Sequence, residues 1–295
     1  MTLLAALAGA LAISFSAILY ALAEVSPITG AFYRSLYALP VLLVLWWMRR
    51  HEDARPRRKR LIAFGAGLLL GLDIVVWHIS IEYIGSGLAT LIANAQVIVV
   101  AVAAWLFFAE RPSRQVAIAI PVVLVGVSLV SGLGRGDAFG SNPLLGTILA
   151  LVSAVFYAAF ILGFRISNEA RAPSAGPLLE STAGAALAAL IAGLIGGGLE
   201  FEPTWPAHGW LLVLALSSQV AGWLLIGYAL PRLPAVETAT IILLQPVLTM
   251  IWAVIIFSES PSPIQLFGAT LVMAGVGFVA VARARRAPAI APAQP

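Results

Sequence analysis

The stretch "LFFAERPS" (106–113) returns 149 residues later as "IIFSESPS" (255–262). At that offset Phe108 meets Phe257, Glu110 meets Glu259, Pro112 meets Pro261 and Ser113 meets Ser262. Each copy strands a Glu and a Pro at the end of a long apolar run. The same offset pairs Gln96 with Gln245, Ala104 with Ala253, Val123 with Val272, and Gly126-Val127 with Gly275-Val276. A second pairing opens each half: "SAILYA" (16–21) against "SAVFYA" (153–158), at an offset of 137, with Tyr20 against Tyr157. The chain therefore reads as two units, 1–134 and 143–282, and a tail, 283–295.

Composition says what the units are. The 295 residues are 61% hydrophobic and 10% charged, with a mean hydropathy of +1.00. A soluble domain carries about 25% charged residues. A surface this poor in charge cannot face water, so the chain reads as an integral membrane protein. Cysteine is absent, which excludes disulfides, thiolate metal sites and cysteine nucleophiles. The opening run "MTLLAALAGALAISF" has no basic residue ahead of it and reads as a first span, not a cleaved leader.

A span needs about 20 mostly apolar residues. Ten runs qualify: 3–23, 28–48, 61–81, 87–108, 116–133, 143–164, 177–199, 209–229, 236–257 and 263–282. They are too long and too apolar for barrel strands, so the fold class is an all-α membrane protein with ten transmembrane helices. Fifteen of the seventeen basic residues fall in the loops and tail on one side of that topology, including "RRHEDARPRRKR" (49–60) and Arg283, Arg285 and Arg286. Only Arg34 and Arg135 lie elsewhere. The positive-inside rule makes that side the cytoplasm, with both termini inside a bacterial inner membrane. The net charge of +4 is then a topology signal and not a nucleic-acid footprint.

Five spans per unit is an odd number, so the second unit enters the membrane from the opposite face. Glu110 sits at the cytoplasmic end of its span and Glu259 at the external end of its own. They read as matching end markers. Inverted repeats are the construction of many secondary transporters, because one fold in two opposite orientations exchanges inward-open and outward-open shapes at similar energy.

With "AERPS" closing span 4, "SESPS" closing span 9 and the following "G-V" pairs, the chain resembles the drug/metabolite transporter superfamily, and within it the EamA-type exporters. Its length and topology also look like YddG-type aromatic amino acid exporters. The resemblance spans nearly the whole chain. It implies solute export, a ten-helix bundle around a central cavity, and no cofactor.

Polar residues inside spans are expensive and need an account. Gln96 and Gln245 lie near the middle of spans 4 and 9, at equivalent depth across the repeat. Two neutral amides suit a zwitterion. The plainer reading is an interhelical hydrogen bond, worth about 0.6 kcal/mol. Asn94 is on the same span as Gln96 but about 200° round it. Pro246 permits a kink beside Gln245. Span 3 runs "GLDIVVWHISIEYIG" (71–85), with Asp73 and Trp77 on one face and His78 and Glu82 on another. Asp73 pairs with Arg34 on the simpler reading and carries a coupling proton on the other. His78 is either a gate or binding group, or a packing residue. Glu180 in "LLESTAG" (178–184) reads as a helix-terminal acid, with a coupling role as the alternative. Tyr20, Trp77, Tyr157 and Trp223 are placed to line a cavity, by stacking or cation–π contact, or else to pack. Trp46, Trp47, Trp205 and Trp210 fit interfacial belts. Gly67…Gly71 and Gly193…Gly197 read as close-packing seams.

These features favour a secondary exporter of small amphipathic solutes, amino acids foremost, acting by alternating access. An uncoupled facilitator or an exporter of other metabolites is the nearest rival. A channel fits poorly without charged rings. An intramembrane enzyme fits worse: Asp73 and His78, five residues apart, face about 140° from each other on a helix. The expected partners are a small solute and the lipid bilayer, with no nucleic acid, no metal, and a monomer or weak homo-oligomer.

Overall fold

The computed structural model describes residues 2–100, 102, 114–132, 138–167, 175–229, 232–233 and 235–286, with the side chains of 235–240, 242 and 283–286 left aside. The first copy of the repeated motif, with Glu110, lies outside the described residues, as do Arg135, Arg171 and the tail from 287. Every regular element among the described residues is helical. The chain runs α1 (Thr2–Ser14), α2 (Ser16–Ala23), α3 (Pro27–Arg49), α4 (Arg57–Ala93), α5 (Arg114–Val130), α6 (Pro143–Ser167) and α7 (Ala175–Gly196). It continues through α8 (Ala207–Leu214), a π-helical turn (Ala215–Gly222), α9 (Trp223–Ala229), α10 (Ala235–Phe257) and α11 (Pro263–Arg286). Seven described helical segments are long and apolar enough to cross a membrane. Two shorter apolar ones lie at Arg114–Val130 and Leu243–Phe257.

The 37 residues of α4 would span roughly 55 Å if straight, well beyond a hydrocarbon core of about 30 Å. The helix breaks at Gly85, whose φ of 78° and ψ of 166° are open to glycine and strained for other residues. Sequence spans 3 and 4 thus meet at a single-residue corner and not across a loop. A second interruption follows: Asn94 and Ala95 form a turn, with N–H bonds to Leu91 and Ile92 carbonyls, before the helix resumes at 96–100. Span 4 was expected to be continuous there. The first span is also interrupted, at Phe15, between α1 and α2.

Small residues decide which helices touch. α4 lies against α6 and α7, α7 against α3, and α5 against α11. On α4, Gly67 and Gly71 face the Ser181 and Ala185 carbonyls of α7, and Gly184 faces Phe64 in return. A side chain at any of these would strike backbone, so the first expected seam is present. The second is not. Gly193 packs against Leu199 and Ile28, but Gly197 has φ 75° and nothing within 4 Å, because it ends α7 instead of packing on a helix.

The α5–α11 contact is reciprocal. At Gly126, a Cβ would meet the Gly268 carbonyl and Val272; at Gly275 it would meet Val123 and the Ala119 carbonyl. Adding 149 to Ala119, Val123 and Gly126 gives 268, 272 and 275. The two helices exchange roles across the contact, as two surfaces related by a two-fold axis do.

Candidate functional site

The second copy of the repeated motif is more than an end marker. Glu259 is buried, at 7% exposed, and its carboxylate accepts the N–H of Ser86 at 2.6 Å and of Gly87 at 3.2 Å. Those groups are orphan donors created by the corner at Gly85, and an acid there meets the positive end of the helix that follows. Burial pushes the Glu259 carboxyl above its usual range, and the two backbone N–H bonds pull the other way. Glu259 also borders a cavity of about 420 Å³, with Tyr20, Glu24, Ser26, Glu82 and Ser86 among its walls.

Tyr20 joins that cavity to the interior. Its ring stacks on His78, with centroids 3.6 Å apart and planes 6° apart, and Trp77 lies against His78 at 5.4 Å. Gly30 leaves room for the stack: a Cβ there would come within 2.7 Å of the Tyr20 ring and 3.2 Å of His78 Nδ1. His78 is wholly buried, and its Nδ1 is 3.1 Å from the Pro27 carbonyl. A carbonyl only accepts, so Nδ1 carries the proton and Nε2 is left as an acceptor in the neutral ring.

Deeper in lies a polar cluster. Arg34 on α3 is 5% exposed and donates through Nη2 to Gln219 Oε1 at 3.1 Å; Gln219 Nε2 in turn donates to Thr182 on α7 at 3.2 Å. Asp73 on α4 is 7% exposed and accepts from Ser153 on α6 at 2.6 Å. Asp73 and the Tyr157 hydroxyl interact electrostatically with Arg34. The expected Arg34–Asp73 contact is therefore one of charge without a direct hydrogen bond, since each takes its hydrogen bond from the second unit. Tyr157 leads into an apolar wall: its ring is 5.8 Å from Phe160, which meets Trp223 edge-on at 5.8 Å.

Sequence reading missed Gln219, Ser153 and Thr182. The signal available was Gln219 itself, an amide within a span like Gln96 and Gln245. Its setting was not readable: it sits in the π-helical turn, a rare geometry that often marks functional positions. Of the expected site residues, Tyr20, Trp77 and His78 form one group, and Arg34, Asp73 and Tyr157 a second beside Trp223. The other three polar candidates stand apart from these groups in their recorded bonds. Asn94 bonds back to the Thr90 carbonyl at 2.8 Å. Gln96 is buried with Oε1 unpartnered among the described residues, and Gln245 lends its backbone carbonyl to Thr249 at 3.0 Å.

Glu180 belongs elsewhere. It lies past the first turn of α7 and accepts from Arg55 Nη1 at 2.9 Å, which corrects the helix-terminal reading. Arg55 also grips Asp53 through Nε at 2.8 Å and Nη2 at 2.9 Å, and Trp46 Nε1 donates to the same carboxylate at 3.2 Å. The side chains of Arg55 and Asp53 are fully buried. The hydrogen bonds from Arg55 hold the Asp53 carboxyl below its usual range. This network ties the 49–60 loop to α7 at the end of the bundle opposite Glu259.

Known proteins resemble this one along its length. Residues 1–132 and 144–281 each match the EamA-like transporter family. An uncharacterized transporter of Archaeoglobus fulgidus is 26% identical over 269 residues, 89% of this chain and 91% of that protein. One from Synechocystis is 25% identical over 255 residues, 83% of this chain and 77% of that protein. A crystal structure superposes with a TM-score of 0.61 at 18% identity, covering 97% of this chain and 98% of the other, and shares the fold. With that coverage, and with a multi-pass helical bundle built around buried polar groups, the chain belongs to the EamA-like transporter family.

Proposed function

We propose that this transporter is a secondary exporter of small amphipathic solutes, amino acids and aromatic ones among them, working by alternating access between two inverted five-helix halves. One observation carries the reading. The buried polar cluster is assembled from both halves, with Arg34 and Asp73 from the first held by Gln219 and Ser153 from the second. A group of charges with its partners on opposite halves is made and remade when the halves move, which suits a solute site at their interface.

Other features agree with it. The reciprocal α5–α11 contact at an offset of 149 is what a pseudo-two-fold axis would produce. The corner at Gly85 supports reading α4 as two crossings, as a ten-span topology requires. The basic residues favour cytoplasmic termini. The wall of Tyr157, Phe160 and Trp223 beside the charges suits an aromatic side chain.

The test is efflux of labelled amino acids from proteoliposomes, with and without a pH gradient. The expected result is efflux accelerated by the gradient. Absence of flux for every amino acid would refute the substrate class, and flux indifferent to the gradient would replace exporter with facilitator.

A further inference from the structure

Arg34 is a buried cation with work left to do. A guanidinium carries five N–H donors. Among the described residues, the one hydrogen-bonded nitrogen of Arg34 is Nη2, which reaches Gln219, and buried Nε and Nη1 have no acceptor. Leaving charged donors unpaired is among the costliest arrangements a protein core holds. This chain can give every nitrogen of a buried arginine an acceptor, as Arg55 shows. Asp73, the nearby opposite charge, is turned to Ser153 instead. We infer that the free edges of Arg34 bind a carboxylate on the transported solute, so that a carboxylate is required for recognition.

The surroundings define the rest of the ligand. Gln219 is itself braced by Thr182, so Arg34 is held at Nη2 while Nε and Nη1 have no acceptor among the described residues. His78, within electrostatic reach of Arg34, presents an unpartnered acceptor at Nε2. The inference rests on the transport reading for its solute, but not for its chemistry.

The experiment measures binding to purified wild-type protein by calorimetry and thermal shift. The probes are the proteinogenic amino acids and a set of 2-oxo acids and dicarboxylates. For every binder, its decarboxylated amine and its deaminated acid are measured too. The expected pattern is binding by the acid and the amino acid and none by the amine. Arg34→Gln should weaken binding roughly tenfold to a hundredfold, the effect of losing hydrogen bonds to a charged group. Arg34→Lys keeps the charge and the fold but loses the planar donors, and should weaken binding as well. An amine that binds as tightly as its parent amino acid overturns the inference, and so does unchanged affinity in Arg34→Lys. So does failure of every carboxylate to bind. Efflux of a solute lacking a carboxylate would leave the transporter reading standing and this one fallen. Carboxylate binding without flux would do the reverse.

Discussion

Arg34 and Arg55 are buried to nearly the same degree, at 5% and 4% exposed, and their surroundings treat them in opposite ways. Arg55 sits in a loop outside the spans and has two carboxylates on three nitrogens. Arg34 sits within a span and has one neutral amide on one nitrogen. Burial by itself therefore says little about the role of a charge. Satisfaction separates the two: a closed network holds parts of the fold together, and an open one has capacity for a ligand.

The largest way to test this comparison is to remove Arg55. In Arg55→Gln, buried Asp53 loses its two close hydrogen bonds to the cation and keeps only the longer Arg60 ion pairing at 3.7 Å, and Glu180 keeps only Arg60 at 3.8 Å. Breaking a buried pair from one side costs about 3–5 kcal/mol. The expected result is a large fall in melting temperature in detergent. A fall of only a degree or two would mean the network is ornamental.

A middle-sized effect is expected at Gly30. The Gly30→Ala side chain would press on Tyr20 and His78, which stack at 3.6 Å. Overpacking of this kind costs about 1–3 kcal/mol. Because Tyr20 both lines the cavity at Glu259 and stacks on His78, efflux rate should fall with it. Unchanged efflux in a folded Gly30→Ala protein would remove Tyr20 and His78 from the solute path.

Arg34→Gln should disturb stability least of the three. Two of its three nitrogens are already unpaired among the described residues and Asp73 keeps its bond from Ser153, so the variant should lose less stability than Arg55→Gln, while losing efflux. If Arg34→Gln is as unstable as Arg55→Gln, both arginines are structural and the comparison collapses.

What could be read beforehand divides along the same line. The apolar runs gave the helices, because about 20 residues of lipid-facing surface leave a sequence little freedom. The repeat gave the offset that the Gly126 and Gly275 contacts obey. Tyr20, His78, Arg34 and Asp73 were also legible, as costly groups within spans. Their partners were harder to find. Whether Arg34 meets Asp73 or Gln219 depends on rotation and depth of helices far apart in the chain, and on a π turn that shifts Gln219. Gly85 was hidden for a simpler reason: a glycine between two helical stretches reads as a loop, and its carboxylate partner lies 174 residues on, at Glu259.

The smallest effect compares Asp53 with Glu259, buried carboxylates at opposite ends of the bundle. Arg55 lowers the Asp53 carboxyl, so the unfolded chain binds its proton more readily than the folded one. Its stabilisation is present above the usual aspartate range and is lost as pH falls. Burial raises the Glu259 carboxyl, so the folded chain holds that proton more tightly. Its contribution is fullest below the usual glutamate range and declines as pH rises through the folded value. Melting temperature followed from about pH 2 to pH 8 should therefore lose part of its acid-side fall in Asp53→Asn, and part of its neutral-side fall in Glu259→Gln. The Glu259→Gln amide can still accept from Ser86 through its oxygen, so the corner at Gly85 survives and only the slope should change. A Glu259→Gln profile parallel to the wild type would mean that this carboxyl titrates alike in the folded and unfolded chain, and that its two N–H bonds offset its burial.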